Sequence, residues 1–311
     1  MPTSTITIPV PSADDEPGSP AIPSPSSGAA DDVRSPTEPP SGARYRRPLT
    51  PWRAVRDVAR SGELLRALTT REYRARYTQT VLGMTWAVIT PVLLMVAFVV
   101  FVQRAITVDT QGQPYALFAY LGLLPWAFFS TSLSRGGTIL VLESSLLNKV
   151  RCPREVFPLS TVAVAAIDFA VSCGVLALLF LGFRTLPSAQ IVWVPLIVLV
   201  QVAFTLGLVF VTAILVVYVR DVGQAIPLLL QFGLFATPVA YGIDAIPDGI
   251  RSLYAAINPL VGVISAYRSC LLFGEPPPWN VFGPSAASAV VWLVGGYVLF
   301  KRFEGGIADV A

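Results

Sequence analysis

Four uncharged apolar runs, residues 81–102, 191–219, 222–243 and 281–300, dominate this chain. Each is long enough to cross a bilayer as a helix, because about 20 residues span a hydrocarbon core of roughly 30 Å. Two further runs are imperfect: 115–133 continues past Arg135 towards Leu142, and 156–181 contains Asp168. Lipid offers no partner to an unpaired peptide group, so such segments must be helical. The pattern predicts an all-α integral membrane protein with six transmembrane helices, and a composition of 54% hydrophobic and 13% charged residues agrees. Six crossings put both termini on one side. With the N-terminus inside, the inner segments carry an arginine-rich arm, Lys149, Arg151, Arg154, Arg220, Lys301 and Arg302, whereas the outer ones hold only Arg104, Arg184, Arg251 and Arg268. The positive-inside rule then makes this a multi-pass protein of a plasma membrane with both termini cytoplasmic.

Three regions follow along the chain. Residues 1–43 hold ten prolines and an acidic excess of six to one, with no apolar periodicity, and are expected to be a disordered cytoplasmic tail. Residues 44–79 form a basic amphipathic stretch with ten arginines between Arg44 and Arg76, interleaved with Trp52, Leu64, Leu65, Leu68, Tyr73 and Tyr77. Thr50-Pro51 reads as a helix start and Thr69-Thr70-Arg71-Glu72 as a capping box, which predicts two short helices meeting near Gly62. This stretch serves either as a charged flank that fixes orientation or as a platform for an anionic headgroup, with Arg71, Arg74, Arg76 and Tyr77 as the residues for the second role. Residues 80–311 form the six-span domain.

Between the fifth and sixth spans, residues 252–267 are uncharged but too short to cross, and Asn258-Pro259 breaks them. A re-entrant outer hairpin is expected there. Arg135 and Asp168 each lie about ten residues from the inner end of a span, so antiparallel packing predicts an intramembrane ion pair between them, structural as readily as functional.

The chain has no histidine, which removes Ser-His-Asp and Cys-His nucleophiles and imidazole metal sites. Its three cysteines form no CxxC pair. Its only lysines, Lys149 and Lys301, stand in no phosphate-binding G-x-x-x-x-G-K-[ST] loop. There is also no dense set of intramembrane acids for a proton relay and no inverted repeat of broken helices, so a transporter built this way is expected to take its energy from another subunit. The inner loop of Asn148, Lys149, Val150, Arg151, Cys152, Pro153, Arg154 and Glu155 is short, charged and proline-punctuated. It is suited either to dock a partner or simply to fix topology.

The residues resemble the permease subunits of ABC-type polysaccharide exporters, the Wzm- and TagG-like proteins, over about residues 48–311. The resemblance rests on Arg74-x-Arg76-Tyr77-x-x-Thr80-Val81-Leu82-Gly83-x-x-Trp86, on Gly122-Leu123-Leu124-Pro125-Trp126-x-Phe128-Phe129, and on Asn148-Lys149-Val150-x-x-Pro153-Arg154-Glu155-x-x-Pro158. Arg220-Asp221, Thr237-Pro238-Val239-x-Tyr241, Asn258-Pro259 and Tyr267-Arg268 add to it. It implies a homodimer with two cytoplasmic ATPase subunits that hold ATP and Mg, this chain binding no cofactor itself and its other partners being membrane lipids rather than nucleic acid. It also implies an N-terminal interface helix, a coupling segment made of Asn148, Lys149, Val150, Arg151, Pro153, Arg154 and Glu155, and a polysaccharide cargo on a polyprenyl pyrophosphate. Tyr115, Tyr120, Trp126, Phe128, Phe129, Tyr241 and Tyr267 are the aromatics expected to offer faces to sugars in a channel, although most aromatics in apolar spans pack. A permease for a drug or small glycolipid is the alternative, and a membrane-embedded glycosyl- or acyltransferase is disfavoured by the missing histidine and clustered carboxylates.

Overall fold

The computed structural model describes residues 61–78, 83, 85–102, 110–147, 153–185 and 188–306. The expected tail, the arm up to residue 60, and loop residues 148–152 lie outside the described residues. The described residues form helices and no strands. They are α1 (Gly62–Tyr77), α2 (Thr85–Ala97, prolonged by a π turn Phe98–Val102), α3 (Tyr115–Gly136) and α4 (Val156–Gly182). There follow α5 (Val194–Tyr218, entered by a 3-10 turn Ala189–Trp193), α6 (Asp221–Ala236), α7 (Asp248–Ile257), α8 (Leu260–Arg268, prolonged by a π turn Ser269–Phe273) and α9 (Trp279–Phe303). With their flanking turns, α2, α3, α4, α5 and α9 are long and apolar enough to cross a bilayer.

The α5–α9 pair sets the topology. Trp193 meets Trp279 at 5.4 Å between ring centroids, Phe204 meets Trp292, Phe210 meets Phe300, and Tyr218 meets Phe303, so the two helices run parallel and in register. Midway, Gly207 lies against the backbone of Trp292 and Leu293, and Gly296 against the carbonyl of Gly207. Without a hydrophobic drive between helices in lipid, such backbone approach is what holds a pair together. Two parallel spans require the chain between them to return across the bundle.

That return differs from the expected continuous helix over 222–243. The α6 helix has 16 residues, about 24 Å, less than the hydrocarbon core. It stops at Ala236 because Pro238 drives Thr237 into an extended conformation (φ −89°, ψ 139°). Residues 237–247 complete the passage without a long helix. They are flanked by the expected hairpin: α7 and the α8 unit are bent by 115° at Asn258-Pro259. Ser252 Oγ donates to the Asn280 carbonyl near one end of α9, Ser285 Oγ donates to the Ala255 carbonyl deeper in, and Gly274 returns to Ser188 at the same end. The hairpin therefore enters and leaves on one side. Its α8 arm is buried throughout except Ser265, while the α7 arm leaves Ile250, Leu253 and Ile257 exposed.

The capping box is not used. Thr69 lies inside a continuous α1, with its hydroxyl donating to the Leu65 carbonyl, and the helix packs along the first half of α4 through Leu68, which shares a core with Phe157 and Leu140. The glycine contact gives a direct test. Gly296→Ala would drive a methyl group into the Gly207 backbone and should lower the melting temperature of the detergent-solubilised protein by several degrees, whereas Gly295→Ala, which meets nothing within 4 Å, should leave it unchanged. Equal melting of the two variants would contradict the close approach.

Candidate functional site

Polar side chains within this apolar bundle gather at three places. The first is Asp168 on α4. It forms an ion pair with Arg76 and accepts a hydrogen bond of 2.6 Å from the Tyr77 hydroxyl, not the expected pairing with Arg135. The cause is the course of α1. Running beside α4, it places Glu72 near Ser160 and Arg76 at Asp168, one helix closer than α3 can bring a guanidinium. Both side chains are mostly buried, and a buried carboxylate is tolerated only when cation and hydrogen-bond donors are supplied together. Arg135 instead is exposed, on the wall of an open groove between α3 and α6.

The same geometry redistributes the expected headgroup residues. Arg71 pairs with Glu143, Arg76 and Tyr77 are committed to Asp168, and Arg74 stays exposed. Burial pushes the Glu72 carboxyl up, opposed by the nearby charge of Arg135 and by the Ser160 hydroxyl.

The second place is the base of the loop before α4. Arg154 donates to the Glu304 carbonyl, and Glu155, only 1% exposed, pairs with Lys301 Nζ at 2.6 Å, which also holds Glu304 at 2.8 Å. Two of the expected coupling residues, Arg154 and Glu155, are thus turned inward and tie the loop to the end of α9. Pro153 is partly buried beside them, and Asn148, Lys149, Val150 and Arg151 lie outside the described residues. No sequence pattern announced this link, because 146 residues separate Glu155 from Lys301.

The third is Arg268 on α8, which sequence reading placed in the outer hairpin only as part of a motif. Its guanidinium is buried with no carboxylate partner among the described residues and donates to four carbonyls: Phe118 at 3.1 Å, Pro238 at 2.8 Å, Val239 at 2.6 Å and Tyr241 at 2.9 Å. The ring of Phe118 lies 3.6 Å from it. Three of these carbonyls belong to the irregular segment after α6.

The expected channel aromatics are mostly packing residues. Tyr115, Tyr120, Trp126, Phe128, Phe129 and Tyr267 are buried within the chain. Tyr115 donates to the Ala240 carbonyl, Tyr120 to Ser172 and Tyr267 to Gln201, while Phe128 packs on Phe169 and Phe129 stacks on Phe204. Only Tyr241 is partly open, and its hydroxyl caps the Phe235 and Ala236 carbonyls at the end of α6. Aromatics of α3 in particular are consumed by helix packing, since α3 is the most enclosed of the spans.

Residues 63–272 of this chain match the family model described as ABC-2 type transporter. The chain belongs to the ABC-2 type transporter family. Among curated relatives, this ABC-2 type transporter is 33% identical to the O-antigen export system permease protein RfbA of Myxococcus xanthus over 258 residues, covering 83% of this chain and 98% of that one. It is 28% identical to an RfbA of Klebsiella pneumoniae over 250 residues, 80% and 95% of the two chains. It is 26% identical to the polysialic acid transport protein KpsM of Escherichia coli over 265 residues, 79% and 98%.

The Asp168 assignment is testable by charge exchange. Asp168→Arg alone and Arg76→Asp alone should each destabilise by about 3 kcal/mol, and the double exchange should recover most of it in thermal unfolding. Exchange of Arg135 with Asp168 should recover nothing; recovery there would restore the pairing expected from sequence.

Proposed function

We propose that this chain is the transmembrane subunit of an ATP-driven exporter that moves a polysaccharide on a polyprenyl pyrophosphate out of the cytoplasm. The observation that carries the reading is the end-to-end similarity to permeases named for O-antigen export, whose length the chain matches almost fully. In this reading the end of the bundle bearing Lys301, Arg302 and Arg154 is cytoplasmic, as its positive charge favours, and so are both termini. ATP and Mg sit on two separate ATPase subunits, because no phosphate-binding loop exists in this sequence.

The functional unit is a homodimer. The α6 helix supports this: Gln224 and Gln231, seven residues apart on one face, are both exposed, together with Leu228 and Phe235. A carboxamide facing hydrocarbon costs about 2 kcal/mol or more, so this face belongs against a second copy or a hydrated passage between copies. The loop centred on Lys149 and Arg151 docks the ATPase. Its base, held by the Glu155–Lys301 pair, passes the displacement into α4 and α9 at once.

Co-purification in mild detergent tests the reading. A stoichiometric ATPase subunit should accompany the tagged wild-type chain, and Lys149→Gln/Arg151→Gln should lower its retention by about tenfold while the chain still inserts. A chain that comes down alone and never stimulates ATP hydrolysis would contradict it.

A further inference from the structure

The α3 helix is inverted for a membrane span. Its enclosed faces carry Leu117, Phe118, Leu121, Leu124 and Phe128, while the stripe left open towards its C-terminal half consists of Ala127, Ser130, Thr131, Ser134 and Arg135. These positions recur at three- and four-residue intervals and share one side of the helix. A stripe meeting lipid tails would be apolar; three hydroxyls and a guanidinium in succession call for water or a polar ligand. The stripe faces an open groove of about 360 Å³, closed on one side by Arg76 of α1 and on the other by Pro227 and Leu230 of α6.

Charges in the groove do not cancel. Arg76 is neutralised by Asp168, but Arg135 has no ion pair or hydrogen bond among the described residues, and Glu72 acts on it only through space. Ser130 donates to the Ala127 carbonyl, whereas the Thr131 and Ser134 hydroxyls have no such commitment among the described residues. Two free hydroxyl donors and a guanidinium on adjacent turns form a cradle for the oxygens of a phosphate group, and Arg is the side chain best matched to that geometry. The apolar wall of α6 suits the hydrocarbon attached to it.

We infer that Thr131, Ser134 and Arg135 bind the pyrophosphate of a lipid-linked substrate, with Arg135 as the principal contact, in the groove between α3 and α6. The inference rests on the exporter reading and adds the residues that hold the cargo's charged group.

The test uses the full-length protein with its ATPase partner in phosphatidylcholine nanodiscs, and follows binding of a fluorescent short-chain polyprenyl pyrophosphate. Wild type should bind it, with the matching polyprenol and phosphatidylglycerol competing at least about tenfold less well. Arg135→Gln should weaken binding by at least about tenfold, Arg135→Lys by less, and Thr131→Val/Ser134→Ala by severalfold, with unchanged gel-filtration profiles excluding misfolding. Unchanged binding in Arg135→Gln overturns the assignment. Equal competition by phosphatidylglycerol overturns it as well, and gives the groove to bulk lipid headgroups. The exporter reading is judged separately, by whether the wild-type chain retains and stimulates its ATPase in the same preparation.

Discussion

A membrane interior tolerates irregular backbone only where protein supplies the missing hydrogen bonds, and in this chain one guanidinium supplies most of them, helped by the Tyr115 and Tyr241 hydroxyls. Arg268 reaches from the re-entrant arm into the break after α6 and serves three carbonyls there, plus one on α3. The arrangement works in both directions. The carbonyls solvate a charge that has no counter-ion among the described residues, and the charge holds a segment that Pro238 prevents from being helical. Supporting contacts are fitted to it: a Cβ on Gly122 would strike the Val239 carbonyl and the Arg268 side chain, and Asn258 donates to the Thr237 hydroxyl at 2.8 Å. The parallel α5–α9 pair demands a fifth passage, the proline shortens its helix, and Arg268 makes the remainder possible.

The opposite end of the bundle is organised by carboxylates rather than carbonyls. Asp168 draws α1 against α4, Glu143 meets Arg71, and Glu155 joins the start of α4 to the end of α9. These pairs differ in weight. The half-exposed Arg71–Glu143 contact contributes little, at most about 1 kcal/mol, whereas the enclosed Arg76–Asp168 and Lys301–Glu155 pairs cannot lose one partner cheaply. A push on the intervening loop would therefore reach α4 and α9 as a unit.

Much of this architecture could be read from sequence because lipid restricts the options. Three of the four long uncharged runs and the two imperfect ones located five spans, the run 222–243 holding only the short α6, and Asn258-Pro259 within 16 uncharged residues located the hairpin. Errors arose where a partner distant in the chain decides the outcome. Arg135 and Asp168 matched in depth, but nothing local revealed that α1 would climb α4 and claim the acid. Arg154 and Glu155 looked available for docking until α9 supplied Lys301. The aromatics of α3 had the right chemistry for sugars but lie on the faces that neighbouring helices cover. The hydroxyl-rich segment Ser130-Thr131-Ser132-Leu133-Ser134-Arg135 did carry a signal, since its open members recur at helical intervals and end in a cation. Only burial separates Ser132, which is enclosed, from its neighbours.

Along the bundle stand the loop base tied to α4 and α9, a short α6 anchored at its far end by Arg268, and a polar side of α3 between them. The central claim is that this side of α3 meets water rather than lipid. The most direct measurement is labelling of single cysteines by a membrane-impermeant thiol reagent in native membranes, along α3 from Ala127 to Arg135, after replacement of Cys152, Cys173 and Cys270. Strong labelling at 127, 130, 131 and 134, with silence at 128, 129, 132 and 133, is the predicted result. Absence of labelling along the whole helix, or labelling without helical periodicity, would contradict it.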